Sequence, residues 1–355
     1  MNYTGQKSYG KINYDHFVST ILPQLGSARS ELVLGPAPGV DFSAIRIARN
    51  KTLLLSCDPI SYLPELGAED SAFISIASLT ADLLTSGVEP AYAAFVLTLP
   101  PEMSNADFRR YWAAINRECQ RMGIAIVAGH TGSYQGCNYS IIGSGFVMTT
   151  ASAGRYVSSS MARPGNKLIM TKTAGIETTF IFAKSFPETV RKEIGNKAFE
   201  EAVSLIRKMS VFDDAISAVS VGMHAKGITS MHDVAEGGVI GAVVELAEAS
   251  SVGVLVHEDK IPVAPVTRKV CDLFSLNPLT TLGEGSLLLT CPPSKERRVL
   301  NALRKSGVEA TTIGKIVDKS EGRILVRNGS EERLGSVDSA EYWRAYAEAK
   351  SRGLT

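Results

Sequence analysis

Residues 70–98 read D-S-A-F-I-S-I-A-S-L-T-A-D-L-L-T-S-G-V-E-P-A-Y-A-A-F-V-L-T. The pattern predicts an Ala- and Ser-rich helix over 70–86, which Gly87 and Pro90 stop by the usual C-terminal signals. Residues 91–98 then form a strand that Pro100 and Pro101 close. The helix's small residues suit close packing against a sheet or another subunit. Asp82 is the exception inside it. Flanked by Ala81, Leu83 and Leu84, its carboxylate must be solvated, paired or metal-bound, because an uncompensated buried charge is costly.

The same alternation of helix and strand extends in both directions. Residues 51–57 read as a buried strand ending at Asp58 and Pro59. Ser104 with Asp107 makes an approximate capping box for a helix carrying Phe108, Tyr111, Trp112, Ile115 and Cys119, which ends at Gly123. A strand over 124–128 runs into the loop-like edge Gly129-His130-Thr131-Gly132. Residues 139–149 supply another strand, where Gly143 and Gly145 suggest bulging or close approach. Residues 151–165 are small and polar and read as a domain join. Beyond it, strands are expected at 167–171, 253–257, 285–291, 310–317 and 323–327, and helices near 176–186, 197–209, 211–225, 238–250, 265–274 and 293–306. The expected class is α+β to α/β in two domains, 1–155 and 156–340, with 341–355 a helical tail.

The length of 355 residues exceeds the size at which one core stops growing, which supports two domains. A net charge of +1 leaves no global field to attract nucleic acid or an acidic membrane, so neither is expected as a partner. Five cysteines are an odd number without C-x-x-C spacing, which argues against a disulfide framework and a structural zinc site. Without a signal-peptide core or an apolar stretch of membrane-spanning length, a cytoplasmic protein is expected.

Four aspartates carry the chemical argument: Asp41, Asp58, Asp82 and Asp233. Carboxylates beside small residues suit a shared magnesium–phosphate site, because the metal takes hard oxygen ligands and a polyphosphate must approach the backbone. Asp58, at the end of an apolar run, would point into the crevice where α/β proteins bind ligands, or simply cap a turn. Asp41 sits among Gly35, Pro36, Pro38 and Gly39, a loop composition that also suits a solvated turn. Gly237 and Gly238 open a helix after a loop carrying His232, Asp233 and Glu236. Such a helix start offers free N–H groups to a phosphate, although acidic residues there also favour the helix dipole. His130 suits a general base, a phosphate partner or a structural role. Gly5, Lys7, Gly10 and Lys11 suggest an arm able to fold over phosphates. The absence of Walker A, G-x-G-x-x-G, G-x-S-x-G and H-E-x-x-H motifs disfavours P-loop, dinucleotide-binding, hydrolase-elbow and zinc-protease readings.

The motif order resembles the aminoimidazole ribonucleotide (AIR) synthetase superfamily, and its HypE-like branch most closely. The segments that carry it include G-V-D-F-S-A-I, S-C-D-P-I, A-S-L-T-A-D-L-L-T-S-G-V-E-P, V-A-G-H-T-G, A-R-P-G-N-K-L-I-M-T-K and M-H-D-V-A-E-G-G-V, within a resemblance from about Leu34 to Val326. The resemblance implies an N-terminal domain whose strands complete a β-barrel with a partner's in a homodimer. It also implies a C-terminal α/β domain, with ATP and Mg2+ in the cleft. By motif, Asp41, Asp58, Asp82 and Asp233 would be metal and phosphate ligands, and Gly129, Thr131, Gly237 and Gly238 nucleotide contacts. Lys11 would join them from the arm, with His130 and Glu236 as acid/base groups toward a small-molecule or protein-borne acceptor. The implied chemistry is phosphorylation of an amide, carbonyl or other acceptor.

Departures from the pattern keep a rival open. HypE proper ends in a cysteine that carries the carbamoyl group, whereas residues 350–355 hold none. Its G-G-D-T-K motif stands here as Ala128-Gly129-His130-Thr131-Gly132, and Thr80 replaces a common Asn. A non-catalytic nucleotide-binding regulator or scaffold is the alternative reading.

Overall fold

A computed structural model describes residues 10–12, 14–337 and 340–355. Gly5 and Lys7, assigned above to the arm, lie outside the described residues.

The first sheet grows around the strand that precedes the quoted helix. Its strands are β1 (Leu32–Leu34), β2 (Ser43–Ala48), β3 (Lys51–Ser61), β4 (Tyr92–Leu99), β5 (Ala125–Ser133) and β6 (Ile141–Ser152). They lie in the order β1-β2-β3-β6-β4-β5, antiparallel except for the pair β4–β5. The helix Asn105–Arg121 makes the crossover between those two parallel strands. Ser104 caps it as expected, its hydroxyl accepting the Asp107 N–H at 3.0 Å. One face of the sheet packs Leu54, Phe95, Leu97 and Val147 beneath this helix and the helix Gly67–Leu84.

The second sheet holds β7 (Lys167–Thr171), β8 (Ser230–Asp233), β9 (Gly253–His257), β10 (Leu287–Cys291), β11 (Ala310–Val317), β12 (Arg323–Arg327) and β13 (Ser330–Arg333). Their order is β13-β12-β9-β11-β7-β10-β8. The apolar helix Gly238–Ala249 covers one face with Val239, Val243 and Leu246, and the helices Phe212–Val219 and Glu296–Lys305 cover the other. An aromatic cluster of Phe182, Phe186, Phe274, Tyr342 and Tyr346 fastens the helix Ala340–Ser351 to the helical layer. All five cysteines are free, and Cys119, Cys271 and Cys291 are buried. No helix among the described residues is long and apolar enough to cross a membrane.

Several expectations change at the strand ends. Residues 51–57 do not stop before Asp58: β3 runs on to Ser61 with Asp58 and Pro59 inside it. β2 pairs β3 no further than Leu55, so one side of Pro59 has no strand to answer, the setting in which a strand tolerates proline. Gly129-His130-Thr131-Gly132 is not a loop edge but the body of β5. His232 and Asp233 end strand β8 rather than lying in a loop, a strand too short for alternation to reveal. The expected helix over 211–225 is only Phe212–Val219, and the helix Pro187–Ile194 has no counterpart among the expectations.

The two glycines inside β6 serve close approach, as their position suggests. Gly145 lies opposite Asp58, and a Cβ there would stand 2.5 Å from the Leu79 side chain. Gly143 has φ +152°, and a Cβ there would stand 2.0 Å from the Val96 carbonyl oxygen. Backbone cannot yield as a side chain can. Gly143→Ala is therefore expected to lower stability by about 1–3 kcal/mol, the usual scale of backbone strain. Urea unfolding should show a lower midpoint, whereas Gly335→Ala, with nothing within 4 Å of the added methyl, should leave it unchanged.

Candidate functional site

The site assembles where the two halves of the chain meet. Asp58 comes from β3, Asp82 from the helix Gly67–Leu84, and Asp233 from the end of β8. Asp41 arrives on the loop before β2, which Gly39 presses onto the helix Gly238–Ala249. Gly39 has φ +70°, and a Cβ there would lie 2.3 Å from the Glu245 carbonyl oxygen. Gly175, with φ +66°, turns the chain so that Glu177 enters the first turn of the helix Ile176–Ser185. Glu284 stands three residues before β10. Both glutamates are buried.

These carboxyl groups act on one another. Burial first, then Asp233, Asp41 and Asp58, holds the Asp82 carboxyl well above the usual range. Asp58 is pushed up to about 7 by burial and by Asp233. Asp41 rises to about 6 through burial, against the pull of His232. Burial raises Glu177 to about 8, and burial with Asp233 and Glu177 raises Glu284 well above its normal value. The four aspartates named from the sequence thus come together, and Glu177 and Glu284 join them.

Two cations answer this charge. His232 Nδ1 lies 2.7 Å from Asp41 Oδ1 and 3.7 Å from Asp233 Oδ1, and its Nε2 lies 3.2 Å from Glu245 Oε2. Burial opposes the imidazolium, but Asp41 and Glu245 outweigh it and raise its pKa well above 6.5. Lys11 approaches Glu245 at 4.0 Å, and its amide donates to Glu236 Oε2 at 2.7 Å. Burial opposes its charge as well, but Glu245, Asp233, Asp82 and Glu236 keep the amine protonated.

The balance stays negative, and it leaves oxygens without partners. Asp41 Oδ2 and Glu284 Oε2 are buried and make no hydrogen bond. Orphaned buried carboxylate oxygens are costly unless a cation meets them. Hard oxygen donors converging from separate elements fit Mg2+. Asp41, His232 and Asp233 offer atoms within 4.8 Å of one another. The protonated imidazole between two acids acts there as an internal counter-ion.

The remaining sequence candidates divide. Gly237 and Gly238 adopt φ +84° and +60° at the start of their helix, where a Gly238 Cβ would lie 2.6 Å from the carbonyl oxygens of Leu279 and Thr281. Two amides of this turn are already used, Gly238 N–H by Ala235 O and Ile240 N–H by Leu279 O, so fewer face a ligand than the sequence suggests. Glu236 holds the arm at Lys11. Gly129, His130 and Thr131 stand apart. The register Asp58–Gly145–Phe95–Gly129 separates Gly129 from Asp58 by three strand spacings, about 14 Å. His130 is exposed, stacked on Tyr134 with its Nε2 2.6 Å from that hydroxyl.

Sequence reading missed His232, Glu245, Glu177 and Glu284 as site residues. Glu177 and Glu284 had local signals, each within two residues of a glycine beside a strand or helix end. Nothing local marks Glu245, which reaches the site only because the helix Gly238–Ala249 lies against the Asp41 loop.

The AIR synthase related protein family model matches in both its parts, the N-terminal domain over residues 39–150 and the C-terminal domain over 163–327. The chain belongs to this family, and it has the two-domain AIR synthetase fold. Among its relatives, carbamoyl dehydratase HypE of Rhodobacter capsulatus is 26% identical over 272 residues, covering 74% of each chain. The fold is similar to a ThiL protein complexed with AMPPCP and TMP, with a TM-score of 0.68, 18% identity and coverage of 93% of this chain and 99% of that one. It is also similar to the hydrogenase maturation protein HypE in complex with ATP, with a TM-score of 0.62, 18% identity and coverage of 93% and 96%.

The raised carboxyl pKa values invert the usual pH dependence of stability. Between about pH 4 and 8 the unfolded chain has released protons that the folded cluster still holds, so stability falls as pH rises through the folded values of about 6, 7 and 8. His232 adds the same sign, since its folded pKa is raised and its contribution fades as it deprotonates. In chelator, the thermal midpoint should be lower at pH 8 than at pH 5, and Mg2+ should restore it mainly at pH 8. A midpoint that rises over this range without metal would show that the carboxyls are not coupled as described.

Proposed function

We propose that this protein is a Mg2+-ATP-dependent enzyme that activates an amide, carbonyl or other small acceptor by phosphoryl transfer, in the manner of the HypE branch of its family. The observation that carries the reading is the buried carboxyl cluster with orphaned oxygens at Asp41 and Glu284. Unpartnered carboxyl oxygens gathered with other acidic side chains suit a cation–polyphosphate site, because a bound cation would supply the missing partner. The similarity to HypE in complex with ATP and to ThiL complexed with AMPPCP supports the nucleotide.

In this reading Asp41, Asp58, Asp82 and Asp233 hold magnesium, and the Gly237–Gly238 turn lets phosphate oxygens approach the backbone. Bound magnesium offsets phosphate charge and makes the terminal phosphorus accessible to an oxygen nucleophile. Glu177, with its pKa near 8, holds a proton at neutral pH and is able to donate a hydrogen bond to an acceptor carbonyl or to relay a proton from an amide. It takes the acid/base assignment from His130, which stands away from the cluster. The relationship to carbamoyl dehydratase HypE favours an acceptor bearing a carboxamide, carried on a small molecule or a protein.

The same proposal includes the homodimer. The face of the first sheet opposite its helices exposes Tyr92, Val96, Val127 and Phe146. A contiguous apolar sheet face of this kind marks a protein interface. His130 pairs with Val96 in register on that sheet, so a contribution from Gly129 to Thr131 would be made across the dimer.

Calorimetric titration with ATP is expected to show binding only when Mg2+ is present. Asp58→Asn should weaken it by about tenfold or more, the equivalent of roughly 1.4 kcal/mol. Phosphate release from ATP should be stimulated by carboxamides within a panel of amide, carboxylate and phosphate-ester acceptors. Unchanged Mg2+-ATP affinity in Asp58→Asn would remove the metal assignment, and binding without stimulation by any acceptor would leave a nucleotide-binding regulator.

A further inference from the structure

Lys172 has no part in the site described above, yet it is the most fully committed lysine among the described residues. It follows β7 in the left-handed backbone region, with φ +52°. Its side chain is only 10% exposed, and its Nζ donates to the carbonyl oxygens of Lys208 at 3.0 Å, Ser210 at 2.8 Å and Gly285 at 2.9 Å. An ammonium has three N–H bonds, and three carbonyls use them. Asp214 Oδ2, at 2.8 Å on a fully buried side chain, supplies the counter-charge. A lysine whose three N–H bonds are all used in this way is not a free nucleophile. It is a fastener.

What it fastens is informative. Gly285 follows Glu284 directly. It has φ +110°, and a Cβ there would stand 2.9 Å from the Lys208 carbonyl oxygen and 2.9 Å from Met209 Cα. The segment around it is tied to the other wall of the cleft. Gly283 N–H donates to Ala235 O at 3.3 Å, Val234 N–H donates to Ser286 O at 3.1 Å, and Leu287 pairs with Asp233 across the β10–β8 ladder. Ser286 Oγ donates to Thr173 O at 2.8 Å, and Leu287 N–H donates to Thr171 Oγ1 at 2.9 Å. The one strip 282–287 therefore sets both Glu284 and Asp233. The Asp233 charge disfavours ionisation of Glu284, and these hydrogen bonds hold the segments that carry the two carboxyls together.

We infer that Lys172 is a positioning residue for the carboxyl cleft: through the Gly285 carbonyl it fixes residues 282–287, and with them the placement of Glu284 and Asp233. The functional consequence rests on the Mg2+-ATP reading, but the clamp itself does not. Because the clamp sets carboxyl oxygens rather than the glycine turn, it governs the metal requirement more than nucleotide affinity.

The test compares wild-type protein with the double substitution Lys172→Met and Asp214→Leu, which removes both charges and leaves no unpaired buried aspartate. Gly285→Ala provides a second lesion on the same strip should the double variant fail to fold. The Mg2+ concentration giving half-maximal ATP binding is expected to rise about tenfold or more, the usual scale for losing an outer support of a metal site. ATP affinity at saturating Mg2+ should change much less, and binding stoichiometry should stay the same. A variant damaged only in its general packing would lose stoichiometry without that split. In parallel, amide hydrogen exchange should accelerate at Val234 and Gly283 while the amides of β9 and β11 keep their protection. An unchanged Mg2+ midpoint in folded variants would overturn the inference, as would unchanged exchange at Val234 and Gly283. If wild-type protein binds no Mg2+-ATP, the nucleotide reading fails and the exchange result alone decides the clamp.

Discussion

Mutual repulsion among buried carboxyl groups is the constraint on which the rest of this molecule depends. Burial, with the neighbouring Asp233 charge, raises the carboxyl pKa values of Asp58, Asp82 and Glu284, and among the described residues Lys11 and His232 oppose the charge of the site. Isolated buried charges cost several kcal/mol, so a chain that gathers them must impose their positions through bonds that the charges cannot break. The imposing elements are visible. Asp58 is locked in a ladder with β6, Asp82 in a helix that Gly145 admits against the sheet, and Asp233 in a strand end paired with Leu287. Asp41 is anchored through Gly39, where nothing larger than hydrogen fits against the neighbouring helix.

The same constraint governs several separate features of the chain. The Ala- and Ser-rich composition of the helix Gly67–Leu84 lets it lie close to a sheet while presenting one carboxylate to the cleft. The glycine pair at 237–238 accommodates the chain at Leu279 and Thr281, and so brings the strip before β10 against the helix start. His232 acts as an internal cation between Asp41 and Glu245 and offsets part of the charge of the cleft. The protein thus carries part of its own charge compensation and leaves the remainder to a ligand.

Much of the fold was legible because its long elements obey simple periods. The helix Asn105–Arg121 shows its cap and its apolar stripe, and β9, β11 and β12 read as strands at their observed limits. Short or edge elements were not. β8 is four residues with every position buried, so it shows no alternation, and β5 continues through glycines that resemble a loop. The aspartates could be singled out because each sits beside small residues in a distinctive local context. Glu245 and His232 could not, because their roles arise from packing between segments distant in sequence. His130 shows the converse: its motif context drew attention, yet β5 carries it to an exposed sheet edge beside Tyr134.

The central claim is that the cleft holds protons that a cation must displace. The most direct measurement is proton release on addition of Mg2+-ATP to the protein in weakly buffered solution near pH 7. Release of at least one proton per site, diminishing toward pH 9 as the carboxyls ionise on their own, is the predicted result. Binding without proton release at pH 7 would mean that these carboxyls are already ionised and compensated, and would contradict the account.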